Sequence, residues 1–178
     1  MGGMRQIVWN PRRSAAENAR RELPRLVSSY FSYVRAELAK DPAPAELHRL
    51  RLATKRLRYT LELFRPCYGP GLETRLEVLR KVQQRLGDLN DCVAAWNLLS
   101  KAMSRSPQRA RVGKFLDQQA QRQANDFRKE WRKLFEAPGC EEWWTGYLAR
   151  QARVPAKAAR TRGKSAAGGI AASRMGAA

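Results

Sequence analysis

LHRLRLATKRLRYTLELF, from Leu47 to Phe64, is the stretch that decides the fold. At about 100° per residue it reads as one helix with two faces. Leu47, Leu50, Ala53, Thr54, Leu57, Leu61 and Phe64 recur at helical steps and form an apolar stripe, which needs other elements to bury it. His48, Arg51, Lys55 and Arg58 stack along one edge of that stripe. At about 1.5 Å of rise per residue, the row spans roughly 15 Å. Cationic donors spread over that length suit a line of negative charge, so the expected partner is a polyanion.

Outward from this helix the same period recurs. Upstream, Ser14-Ala-Ala-Glu17 has the form of a capping box, in which each side chain satisfies a free amide at the other's position. Leu23, Leu26, Val27, Tyr30, Phe31, Val34 and Leu38 then follow, with Pro24 predicting a kink or a fresh start near Leu23. Asp41-Pro42-Ala43-Pro44 separates this helix from the basic one, which ends before Pro66 and Gly69-Pro70-Gly71. A third helix is expected from about Leu72 to Met103, with Val78, Leu79, Val82, Leu86, Leu89, Val93 and Trp96 in its stripe. Gly87 interrupts it at a cost of about 1 kcal/mol relative to Ala. Ser106-Pro107 reads as a cap and first-turn proline for a fourth helix reaching Phe135, burying Val112, Leu116, Phe127, Trp131 and Leu134. Glu142 to Arg150 adds a short helix carrying Trp143, Trp144 and Tyr147.

No segment alternates as a strand does. The expectation is an all-α antiparallel four-helix bundle over residues 14–152, with a flexible segment at 1–13 and a disordered basic tail at 153–178.

Lys and Arg outnumber Asp and Glu by 35 to 16, a formal charge of +19. Arg153, Lys157, Arg160, Arg162, Lys164 and Arg174 are the tail's whole share, so most of the excess belongs to the folded part. Charge of this size argues about partners, not about fold. Cys67, Cys92 and Cys140 are widely spaced and odd in number, which gives neither a disulfide framework nor a CxxC pair. His48 is the only histidine, so no zinc site of the usual kind is expected, nor any other cofactor. No apolar run approaches the roughly 20 residues of a membrane span, and the N-terminus lacks a secretory apolar stretch. A reduced, cytoplasmic setting is expected, with no membrane partner.

His48-x-x-Arg51-x-x-x-Lys55-Arg56-x-Arg58-Tyr59, followed some thirty residues on by Leu86-Gly87-Asp88-Leu89-Asn90-Asp91, resembles the conserved histidine α-helical domain (CHAD) family. The helices from about residue 14 to 136 and the Trp143-Trp144 stretch fit the same pattern, about three quarters of the chain. The resemblance implies an all-helical fold whose basic surface binds inorganic polyphosphate, without catalysis, in association with cytoplasmic polyphosphate granules. It assigns that binding to His48, Arg51, Lys55, Arg56 and Arg58, with Lys81 and Arg85 helping from the next helix. Family members usually contain two four-helix units, each with a basic helix, whereas one is found here. A homodimer restoring the double unit is the corresponding expectation.

Each reading of these residues has a plainer rival. Guanidinium groups bind phosphate oxygens bidentately and Lys55 adds a compact charge, but an exposed helix face is often merely solvated. His48 either donates to phosphate, which favours its doubly donating cation, or holds a neighbouring helix. Tyr59, Gly87, Asp88 and Asp91 are expected to support the site. Asp88 and Asp91 would orient basic side chains or satisfy backbone at the Gly87 break, and Gly87 would permit close helix approach. Trp96 and Trp131 sit on apolar stripes and are expected in the core. Aromatic residues do not interleave with the basic row, which disfavours base stacking. Nonspecific nucleic-acid binding stays open as the alternative, with a polyphosphate-processing enzyme behind it.

Overall fold

The computed structural model describes residues 5–150 and Ala152. They form five α-helices: α1 (Ala15–Leu38), α2 (His48–Leu63), α3 (Gly71–Ala102), α4 (Pro107–Phe135) and α5 (Cys140–Arg150). Single 3-10 turns at Pro44–Leu47 and Arg65–Cys67 flank α2, and no strand occurs among the described residues. The all-α class is as expected, but the short fifth helix is no appendage. Its Trp144 and Leu148 are buried, and α1 packs against both α5 and α2. On the other side, α2 lies beside α3, and α3 runs along α4.

The capping box forms: the Glu17 amide donates to Ser14 Oγ at 3.2 Å, and the Ser14 amide donates to Glu17 Oε2 at 2.8 Å. Helix α1 is one continuous element through Pro24, so it does not begin afresh near Leu23. Leu23, Leu26, Val27, Tyr30 and Phe31 bury their side chains around it, and that burial outweighs one missing backbone donor. The α2 stripe packs as its spacing requires, with Leu47, Leu50, Thr54, Leu57, Leu61 and Phe64 all buried. Thr54 Oγ donates to the Leu50 carbonyl at 2.8 Å, so the buried Tyr30 hydroxyl is the donor in its 2.8 Å contact with Thr54. Phe31, Trp131, Phe135 and Trp144 form one aromatic cluster, Trp131 stacking on Phe135 at 4.4 Å between centroids.

The segment expected to be flexible at 1–13 is built into the fold over residues 5–13. The Arg5 amide donates to Ser29 Oγ, the Val8 amide to Glu22 and the Asn10 amide to Asn18, so this strap runs back along α1. Trp9 stacks on Phe64. The tail expected at 153–178 lies outside the described residues.

Burial on α3 ends at Leu89 and on α4 begins at Ala120. Beyond these points the two helices continue as a hairpin in which Trp96, Leu99, Val112 and Leu116 are only half-buried. Trp96, Val112 and Leu116 are therefore not the core residues their stripes suggested, because no third helix among the described residues covers that seam. Gly87 also departs from expectation. Helix α3 is continuous through it, and a Cβ there meets nothing within 4 Å. The close approach is at Gly113, where a Cβ would fall 2.7 Å from the Trp96 ring.

Candidate functional site

The α2 helix has one edge beside its buried stripe that faces α3, and α3 has a matching edge beside Leu79, Val82, Leu86 and Leu89. Between the two edges lies a groove of about 470 Å³, lined by Arg51, Arg58, Arg80, Gln83, Gln84, Gly87 and Asp91. The sequence put Arg51 and Arg58 on this edge, and both line it. Lys55, one turn from Arg51, is half-buried, with its Nζ 5.5 Å from the Tyr59 ring centroid.

The groove is not electrostatically uniform. Arg58 donates from Nε to Gln83 Oε1 at 2.7 Å and from Nη1 to Glu62 Oε1 at 2.6 Å, with its guanidinium 4.3 Å from the Tyr59 ring centroid. Arg80 donates from Nη1 to Glu73 Oε1 at 2.7 Å and approaches Glu62 Oε1 at 3.5 Å. The Arg80 hydrogen bond is the main cause that holds the Glu73 carboxyl below the usual glutamate range, and the same contact raises Arg80. Arg51 and Lys55, by contrast, form no ion pair among the described residues. Arg51 Nε is buried and has no hydrogen-bond partner. A buried donor left in that state is costly.

The other expected site residues are distributed unevenly. His48 is exposed, with Nδ1 2.6 Å from Asn90 Oδ1. That contact ties the start of α2 to α3, the supporting role weighed for it. Arg56 is exposed and does not line the groove. Lys81 is exposed outside it, and Arg85 turns the other way, its Nε donating to Glu130 Oε2 on α4 at 3.1 Å. Arg58 of the α2 row and Arg85 of α3 are therefore each paired with a glutamate. Asp88 accepts from Gln84 Nε2 at 2.7 Å, and neither Asp88 nor Asp91 pairs with a basic residue of α2. With no helix break at Gly87, neither aspartate has loose backbone to satisfy there. Tyr59 is half-exposed and lies beside two cations, so one aromatic ring does stand within the basic row.

Arg80, Gln83 and Gln84 were missed in the sequence. Their signal was there: with Gly87 and Asp91 they repeat at three- and four-residue steps along one flank of the α3 stripe. Among the described residues, no group of three or more His, Cys, Asp or Glu converges as metal ligands do, and all three cysteines are free thiols. No helix among the described residues is long and apolar enough to cross a membrane.

An all-helical domain with a cationic groove between two of its helices is the class these features define. The CHAD domain model matches residues 4–100, and the chain belongs to that family. The match takes in the strap, α1, α2 and most of α3, hence the whole groove, but stops short of α4 and α5, which the motif-level resemblance had included. Neither a curated protein nor a solved structure matches the chain. Family membership is consistent with a polyphosphate-related role.

Proposed function

We propose that the protein is a noncatalytic module that binds inorganic polyphosphate along the α2–α3 groove and its α2 rim. The observation that carries this reading is Arg51, a groove-lining guanidinium that, like Lys55 one turn along, has no carboxylate counterion among the described residues. Guanidinium groups bind phosphate bidentately, and a row of fixed cations releases counterions from a dense polyanion. Binding is therefore expected to fall steeply with salt. Titration with long-chain polyphosphate at several salt concentrations tests the proposal, and no binding at low salt removes it. His48 and Arg56 belong to the rim in this reading, and Lys81 and Arg85 to the outer surface that steers the anion. The proposed location is the cytoplasm, at polyphosphate granules.

Tyr59 favours a second reading, a nucleic-acid partner, because a half-exposed ring flanked by Lys55 and Arg58 is a stacking platform. Competition separates the two: polyphosphate should displace a bound single-stranded oligonucleotide far better than the reverse. Release of orthophosphate with magnesium or manganese present would instead make the protein an enzyme.

A second copy of the chain is part of the proposal. Leu52, Tyr59 and Leu63 line up on the outward side of α2 and stay half or more exposed beside the cationic rim. Sedimentation equilibrium showing monomer alone, with and without polyphosphate, removes this element.

A further inference from the structure

Of the two acidic residues bonded to the groove arginines, Glu62 alone touches both. Its Oε1 accepts from Arg58 Nη1 at 2.6 Å and lies 3.5 Å from Arg80 Nη2. Neither guanidinium depends on it for position. Gln83 holds Arg58 through Nε and Tyr59 lies against its face, while Glu73 holds Arg80 through Nη1. The Glu62 side chain is 26 % exposed, so it has room to swing toward solvent. Removing the carboxylate from that point would leave two oriented cations facing one anion-sized position.

We infer that Glu62 is a built-in rival for the ligand: its carboxylate fills the position one phosphate would take between Arg58 and Arg80, so the groove selects by chain length. The inference rests on the polyphosphate reading. The open end, at Arg51 and Lys55, takes any phosphate chain. Arg58 lies two turns further along, at about 10 Å of helix rise. A pyrophosphate engaged at Arg51 and Lys55 has no further phosphate to place at the Glu62 end. A long chain reaches it, displaces the carboxylate and gains two guanidinium contacts, at the cost of breaking the existing ion pairs.

Glu62→Gln keeps the size of the side chain and removes its charge. Long-chain polyphosphate should then bind about 5-fold more tightly, the equivalent of one partly exposed ion pair no longer broken. Its log–log salt slope should steepen by about one charge. Pyrophosphate affinity should change by less than about 2-fold. Glu77→Gln, the same charge change at an exposed α3 residue with no ion pair among the described residues, controls for general electrostatics. Glu62→Ala, checked for folding by circular dichroism, repeats the test should the glutamine variant fail to fold. Unchanged long-chain affinity overturns the inference, as does equal tightening for both ligands or in Glu77→Gln. If wild type binds neither ligand, the polyphosphate reading itself falls. If wild type binds and the variants behave as wild type, only the role of Glu62 falls.

Discussion

Arg51 and Arg58 lie two turns apart on α2 and line the same groove, yet only Arg58 is bonded to a carboxylate among the described residues. Arg58 has its charge largely answered by Glu62 and its geometry fixed by Gln83. Arg51 retains both a net charge and an unused buried donor. Cations that look equivalent along one helical edge therefore differ in what an anion gains by meeting them.

The difference predicts an unequal pair of variants. Arg51→Ala should weaken long-chain polyphosphate binding by about 10-fold or more, the value of a charge-assisted contact. Arg58→Ala should cost less, because in the wild type an anion meets Arg58 only by breaking its existing pair with Glu62. The double variant should flatten the salt dependence, measured by titration at two or more salt concentrations. Wild-type affinity in the double variant would mean the surface is misassigned.

His48 Nδ1 lies 2.6 Å from Asn90 Oδ1 and ties the start of α2 to α3. If the ring also meets the anion, His48→Ala should weaken long-chain polyphosphate binding by about 3-fold. Wild-type affinity in the variant, measured by the same titration, would leave His48 with its helix-tying role alone.

Arg75 is a buried cation with no carboxylate partner among the described residues. Its guanidinium lies 3.5 Å from the Trp143 ring centroid and 3.9 Å from that of Tyr147, and donates to the Gly71 and Trp143 carbonyls. Burial lowers its pKa to about 10, which leaves it charged at neutral pH. Arg75→Met should destabilise the fold by about 1–3 kcal/mol and speed amide exchange in α5 above all. Lysine should not rescue it, lacking the planar fork that reaches both carbonyls between two rings. Denaturant unfolding with residue-resolved hydrogen exchange checks both points.

Three glutamates set the response to acid. The Ser14 hydroxyl lowers Glu17, the Lys40 ammonium is the main cause lowering Glu37, and the Arg80 guanidinium lowers Glu73, each from an ordinary value of 4.5. A carboxyl with a depressed folded-state pKa adds stability above its unfolded pKa and loses it as pH falls through the folded value. The urea midpoint should therefore hold level above about pH 5 and fall below about pH 4.5. Glu37→Gln should make that fall shallower. An equally steep acid limb in the variant would contradict the role given to the Lys40 contact.

The sequence by itself determined the helices, the α1 capping box, the buried side of α2 and the edge that carries Arg51 and Arg58. All of these follow from neighbours three or four residues apart, where the helical period converts spacing directly into position. Only the tertiary structure decided which cations stay available. Gln83 meets Arg58 across 25 residues and Glu130 meets Arg85 across 45, and no local period records such pairings. The half-buried hairpin seam and the ordered strap have the same origin. Whether an apolar side chain or a loose-looking segment is covered depends on which distant helix arrives beside it, and for residues 5–13 that partner is α1.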